Sequence, residues 1–414
     1  MAKTGSFASI DVGTTKVCTA VAEITEEGSI RILGVGVCPA NGFSRGMVDN
    51  IAEATQAIRD SVDKAERSSG TRILSAHVGI TGSHIQSLNN RGIAAIADRN
   101  HPIGSDDIER VLEGSRVINI PTNREVLHAV PRYYVVDGQD SVSDPLGMHG
   151  QRLDVETHIV TASSSAMQNL SKCIEGAGIE VESLILEPLA SAEAILEEEE
   201  RRQGVVAVDI GGGTTGVAVF IDGSVFHTAV LPVGGNHLTR DLVAGLRCPY
   251  YVAEEAKANY GHAVPSMVAA DEMVELDCFG SERQKTVPRR RLCEILQARC
   301  EEILEMAMSE VKRSVHDDIL SAGVVLTGGT AKLQGIDILA EQVTGMPVRV
   351  GAPSHLQGLS ETLTDPSYAT SVGLLQWALK ENGMLYASHR SGPSFAFGGW
   401  LRRVGEWMRV LMPE

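Results

Sequence analysis

Long apolar runs are missing from this chain. No stretch approaches the roughly 18 consecutive apolar residues that cross a bilayer, and residues 1–9 have no apolar core of the kind a signal peptide carries. The expectation is a chain that stays in the cytosol. Cysteine is sparse: the seven present are an odd number with no Cys-x-x-Cys spacing, so they read as reduced thiols in a core. Basic residues are in deficit. With 36 Lys and Arg against 53 Asp and Glu, the formal net charge of −17 argues against nucleic-acid binding, because phosphate contacts need a basic surface. Aromatic residues make up only 4%, and two of the three tryptophans, Trp400 and Trp407, sit together at the end.

At 414 residues the chain can hold two or more domains with sizeable cores. Its most informative stretch is 205–220, VVAVDIGGGTTGVAVF. Residues 205–208 and 217–220 are short valine-rich runs, best taken as buried strands. Between them Gly211, Gly212 and Gly213 can take positive φ and bring backbone N–H groups up to an oxyanion. Thr214 and Thr215 add hydroxyl donors, and Asp209 can hold a divalent cation through water. A single turn of this composition is commonplace. Here residues 7–12 form a second apolar strand leading into Asp11, Gly13, Thr14, Thr15 and Lys16, with another strand over 17–24. An Asp-x-Gly turn with a Thr-Thr pair thus recurs roughly 200 residues along, which points to two related lobes. Face to face, the two turns could clamp the phosphates of one nucleotide, with Lys16 as a point charge.

A third glycine turn, VVLTGGTA at 324–331, ends a short apolar strand ahead of a helix. Gly328, Gly329 and Thr330 leave bare backbone suited to the flat face of an adenine. In this order the three turns resemble the actin, sugar-kinase and heat-shock-chaperone ATPase superfamily, and within it most closely the FtsA family of actin-like bacterial cell-division proteins. The resemblance covers the whole chain. It implies an α/β, two-lobed actin-like fold that binds ATP and Mg2+, the cation held by ATP and water with Asp11 and Asp209 behind them.

The resemblance also divides the chain. Residues 1–83, with 166–190 and 362–385, make the first lobe. An inserted α+β subdomain over 84–165, which contacts later division proteins, carries the likeness at 127–137, 144–148 and 157–161. The second lobe is 191–361, with a smaller subdomain near 240–300 as the face that meets the tubulin-like protein FtsZ. Residues 49–67 have helical spacing. In the insert, 106–118 read as a helix capped by Ser105, and Pro131 marks an edge or a bulge in a strand over 126–136. Glu187, ahead of Pro188, is either a helix-start carboxylate favoured by the dipole or, by the resemblance, the group that positions an attacking water. Glu254 and Lys257 are spaced as a surface ion pair, yet fall where the superfamily places ribose and adenine contacts. The run EEEERR at 197–202 reads as a solvated helix end, and Arg289, Arg290 and Arg291 as a surface patch able to recruit an acidic partner. Within a helix over 366–380, Ala369 and Gly373 are small enough for two helices, one from each lobe, to cross closely.

Residues 386–399 read as a flexible linker. Beyond it, at about 100° per residue, Trp400, Leu401, Val404, Trp407, Met408, Leu411 and Met412 fall on one arc of roughly 140°, with Arg402, Arg403, Glu406 and Arg409 opposite. This is the profile of a helix in a membrane interface, tryptophans at headgroup depth and arginines toward anionic lipid. The alternative is a tail docked on the protein itself. Together with the resemblance, these features imply an ATP-binding protein, at most a slow ATPase, that polymerises and tethers FtsZ filaments to the cytoplasmic face of the inner membrane. Two rivals share the fold. A pilus-assembly adaptor would need no lipid-binding helix, and a small-molecule kinase would need an aspartate base in a sugar pocket, for which no candidate stands out.

Overall fold

The computed structural model describes residues 6–25, 29–96, 102–280, 285–314, 319–354, 356–359 and 361–388. The amphipathic helix expected over 400–414, and the linker from residue 389 on, lie outside them. Strand Ser6–Val12 pairs antiparallel with Lys16–Ile24, which pairs antiparallel with Ile30–Pro39; Ser75–Ile80 and Glu180–Leu186 then extend the other side in parallel. The second sheet repeats this plan. Val205–Ile210, Thr215–Ile221 and Ser224–Leu231 form the antiparallel meander, and Gly323–Thr327 and Val348–Val350 add in parallel. Such parallel additions require crossovers, and helix Ile51–Ser69 supplies the first, capped by the Asn50 side chain and ended by Gly70 in the left-handed region. Two sheets of one topology are the structural form of the sequence repeat.

The hairpin registers also agree. Val12 pairs with Val17 and Ile210 with Thr215, leaving 13–16 and 211–214 as the turns. Thr14 and Thr15 are therefore equivalent to Gly212 and Gly213, Lys16 to Thr214, and Val17 to Thr215. The two threonine pairs are out of step.

The insert is an antiparallel sheet in the order Gln86–Ala95, Arg152–Ser163, Arg124–Val136, Gln139–Val142, with helix Ser105–Arg116 burying Ile108, Val111 and Leu112 against it. At Pro131 the register slips by one, so Arg132 bulges. Ser105 does not cap the helix but is its first residue; the Asp107 carboxylate instead accepts the Gly104 N–H at 3.0 Å.

Helices Glu187–Ile195 and Ala369–Ser388 cross between the lobes. The second takes in the first residues of the expected linker. Leu189 and Ala192 meet Ala369, Val372 and Leu375 in a buried cluster that also holds Cys18 and Ala20 of the first sheet and Val205 and Ala207 of the second. At the crossing a Cβ on Gly373 would stand 1.7 Å from the Ala190 carbonyl oxygen, so only glycine fits.

Of two surface expectations, the solvated acidic run stands, with none of its helix residues buried, and the arginine patch needs correction in part. The acidic run is a short helix, Glu198–Gln203, whose Glu200 receives two bonds of 2.6 Å from Arg349 and whose Arg201 pairs with Glu193 at 3.0 Å. The arginine cluster opens helix Arg289–Ser314 with Arg291 exposed beside Glu294 at 3.2 Å, while Arg289 is spent on the Tyr260 carbonyl and Glu272 and Arg290 on the carbonyls of Pro265 and Val268. Among the described residues no helix is long and apolar enough to cross a membrane.

Candidate functional site

The two hairpin turns face each other and touch. A Cβ on Gly212 would lie 2.5 Å from Thr15 Cγ2, and one on Gly213 2.6 Å from Thr14 Oγ1. The register offset explains the fit, since glycine in one turn stands opposite threonine in the other. Each turn is closed alike, Gly13 N–H on the Lys16 carbonyl at 3.0 Å and Gly211 N–H on the Thr214 carbonyl at 2.9 Å.

Behind the turns a crevice of about 100 Å³ is lined by Asp11, Gly13, Thr14, Thr15, Lys16, Glu187, Asp209, Gly211, Gly212, Thr214, Gly328 and Gly329. It holds three carboxylates from three elements. Ser371 Oγ donates to Asp11 Oδ2 at 2.6 Å, and Thr370 Oγ1 to Asp209 Oδ2 at 3.1 Å, so the crossing helix orients both aspartates. Burial pushes the Asp11 carboxyl up, against the Ser371 bond and Lys16. Burial, then Asp11, push Asp209 up to about 6. Glu187 is held well above its usual range by burial, then by Asp11 and Asp209, and its Oε1 is buried with no hydrogen-bond partner. An orphaned carboxylate oxygen beside two more acids suits a divalent cation. Among the described residues no three His, Cys, Asp or Glu side chains come close enough to enclose a metal directly.

The crevice widens outward into a cavity of about 530 Å³ that shares Thr15, Lys16, Gly212, Gly329 and Ser367 and adds Gly235, Asn236, Glu254, Lys257, Thr330 and Lys332. Helix Gly235–Leu246 begins here, stitched to the second turn by Gly235 N–H on Gly211 O at 2.9 Å and Asn236 N–H on Gly212 O at 2.8 Å. Thr330 Oγ1 reaches the same Gly211 carbonyl at 3.3 Å. Lys257 Nζ sits 2.8 Å from both Glu254 and Thr239 and 3.2 Å from the Gly235 carbonyl. Lys16 Nζ lies 3.0 Å from Ser367 Oγ and over the Tyr368 ring, 3.2 Å from its centroid, with its pKa pushed down by burial despite Asp11. The two glycine and threonine turns and two lysines round a narrow-then-wide crevice can seat a phosphate chain inside and a nucleoside outside.

Of the residues singled out in the sequence, the structure thus brings most to one crevice. Gly213 and Thr215 do not line it. Gly213 is packed against the opposite turn, and the Thr215 hydroxyl is spent on the Val233 carbonyl at 2.8 Å, as its equivalence to buried Val17 requires.

The family model described as cell division protein FtsA matches residues 206–373, and that of the SHS2 domain inserted in FTSA matches 82–161. The cell division protein FtsA of Pseudomonas aeruginosa is 41% identical over 387 residues, covering 94% of this chain and 92% of that one. The chain belongs to the FtsA family. The FtsA of Bacillus subtilis is 37% identical (90% and 83% covered) and that of Escherichia coli 32% (97% and 96% covered). Among solved structures, the PilM–PilN type IV pilus biogenesis complex is similar at a TM-score of 0.64 with 17% identity, covering 90% of this chain and 98% of that one. MreB5 of Spiroplasma citri bound to ADP is similar at 0.54 with 14% identity, covering 91% and 98%. At those identities the likeness shows the fold, which is actin-like.

For this FtsA-family chain several crevice residues escaped the sequence. Thr370 and Ser371 orient the aspartates from far along the chain, and Ser367, Lys332 and Asn236 line the outer cavity. Asn236 carried a local signal, the Gly-Gly-Asn step into a helix. Lys332 follows directly on the third glycine turn, and Ser367, Thr370 and Ser371 are brought in by the crossing of the lobes.

Proposed function

We propose that this chain binds ATP with Mg2+ in the crevice, assembles into filaments when the nucleotide draws its lobes together, and tethers FtsZ filaments to the cytoplasmic face of the inner membrane, where the insert receives later division proteins. The observation that carries the ATP step is the pair of turns in equal register, one per sheet, touching beside three clustered acids. Gly13, Thr14, Thr15 and Lys16 would hold one side of the phosphates and Gly211, Gly212 and Thr214 the other. Gly328, Gly329, Thr330, Glu254 and Lys257 would hold the nucleoside. Mg2+ would offset the charge of the acids and the phosphates, and Glu187 would orient a water.

The tether rests on the terminal sequence, Trp400, Leu401, Val404, Trp407, Met408 and Leu411 against three arginines. Each inserted apolar side chain is worth roughly 1.5–3 kcal/mol before ordering costs, so one short helix binds reversibly. Copies linked in a filament bind firmly, because the second contact is made at high effective concentration. Assembly and membrane attachment are then one function. Co-sedimentation with vesicles containing anionic lipid, comparing the full chain with a truncation after Leu385, tests this: the full chain should pellet, more so with ATP, and the truncated chain should not. Equal pelleting of the two removes the tether, and filaments on a lipid monolayer that ignore ATP remove the switch.

A further inference from the structure

The insert is bonded to both lobes at once. On the second lobe, Ser87 Oγ donates to the Thr228 carbonyl at 2.7 Å, Asn89 Nδ2 to the Phe226 carbonyl at 3.2 Å, and Ser224 Oγ to the Arg132 carbonyl at 2.7 Å. His158 lies between them, Nε2 3.0 Å from Thr228 Oγ1 and Nδ1 2.8 Å from Asn89 Oδ1. On the first lobe one contact is His128, from the same insert strand as Arg132, whose Nε2 accepts the Leu186 N–H at 2.9 Å. An accepting Nε2 carries no proton, so the ring is neutral, in keeping with desolvation that pushes it down to about 4.

Leu186 closes the outermost strand of the first sheet and immediately precedes Glu187. The His128 ring therefore caps the open edge of that sheet at the residue that launches the crevice carboxylate. The same ring lies 5.3 Å from Trp377 on the second crossing helix, and Trp377 packs on Ile185, Ala190 and Leu374. One imidazole thus touches the start of one crossing helix and a residue of the other, the two elements that carry Glu187, Thr370 and Ser371.

We infer that the insert reads the separation of the lobes, and that His128 is the positioning residue through which a change at the insert reaches Glu187 and the crevice, and the reverse. This rests on the proposal that the crevice binds ATP. Coupling of this kind is reciprocal: whatever ATP does to the insert, a ligand of the insert does to ATP affinity.

Hydrogen exchange of the full chain with and without Mg2+-ATP tests it. ATP should slow exchange at both turns and also at Leu186 and along Arg124–Val136, the latter by about three- to tenfold, the scale of one hydrogen bond. His128→Phe keeps an aromatic ring without the acceptor, and should retain the response at the turns while losing it in the insert strand. His128→Gln returns an acceptor near the Nε2 position and should restore it. A purely structural role would lower protection everywhere without separating turns from insert. Turns that respond beside an indifferent insert in the wild-type chain, or a His128→Phe variant that keeps both responses, overturn the inference alone. Turns that ignore ATP overturn the ATP proposal and this with it. Should His128→Phe fail to fold, Trp377→Leu puts the same question from the other side of the ring contact.

Discussion

Replacing Gly373 by alanine tests the crossing of the two helices that hold the lobes together. The new Cβ would stand 1.7 Å from the Ala190 carbonyl oxygen, whereas carbon and oxygen settle no closer than about 3.3 Å. The helices must part by more than an ångström. Overpacking costs about 1–3 kcal/mol, and here the upper end applies, because a backbone carbonyl cannot rotate aside as a side chain can. The helix propensity of alanine returns about 1 kcal/mol, so the net loss should be about 1–2 kcal/mol. Function should suffer more than stability. The displaced helix carries Ser371, 2.6 Å from Asp11, and Thr370, 3.1 Å from Asp209, so the acids lose their orientation and ATP affinity should drop about tenfold, or 1.4 kcal/mol. Urea unfolding gives the first quantity, as a midpoint that falls at constant slope, and calorimetric titration with Mg2+-ATP the second. Gly70→Ala is the control: nothing lies within 4 Å of its Cβ but φ is +67°, so it should cost stability and leave ATP binding alone. A Gly373→Ala protein with wild-type midpoint and affinity would refute both the close crossing and its link to the crevice.

Asp209 makes a pH-dependent prediction. Its carboxyl, raised in the fold from 3.8 to about 6, binds a proton more tightly folded than unfolded, so it loses stability as pH rises between those values and carries the full penalty above them. In Mg2+- and nucleotide-free protein, the stability advantage of Asp209→Asn over wild type should therefore grow from near zero at about pH 4 to about 2–3 kcal/mol at about pH 7, followed by thermal melting; a gap that stays constant with pH would contradict the burial of this charge. Gly213→Ala would push a methyl group to 2.6 Å from Thr14 Oγ1 and 3.1 Å from Arg45 Cα, so the turns should separate and ATP affinity fall about tenfold with the unfolding midpoint little changed; unaltered affinity by the same titration would mean that the turns do not meet as described.

Both hairpins were legible because everything that defines them is local. The strands announce themselves by β-branched runs, the turns by glycine after an aspartate, and the repeat by its recurrence. The offset of the threonine pairs was not legible, since only the pairing of Val12 with Val17 and Ile210 with Thr215 shows that Thr215 stands where Val17 does. Gly373 gave itself away as a small residue in a helix. Its neighbours Thr370 and Ser371 did not, because their acceptors lie 161 and 360 residues distant and hydroxyls beside a glycine look like ordinary helix surface. The arginine cluster misled for the converse reason: three adjacent cations suggest a patch, but a helix turns them to different sides, and two find carbonyls within reach.

The acids explain why the crevice has a direction. Asp11, Asp209 and Glu187 crowd one end. Beyond burial, Asp11 raises the proton affinity of Asp209, and both raise that of Glu187, a standing cost that a fold selected for stability alone would remove. Phosphates brought to that end unaccompanied would meet three carboxylates in a place where burial magnifies repulsion. Brought with a divalent cation, they would reverse the sign, since the cation would offset both sets of anions and Lys16 would meet the phosphate oxygens. A nucleoside triphosphate would then enter with metal and terminal phosphate inward and base outward toward Lys257 and Thr330. On the proposed function, then, the turns grip the chain of phosphates while the buried acids select for metal-bound triphosphate, and free nucleotide without Mg2+ should bind more weakly than the complex.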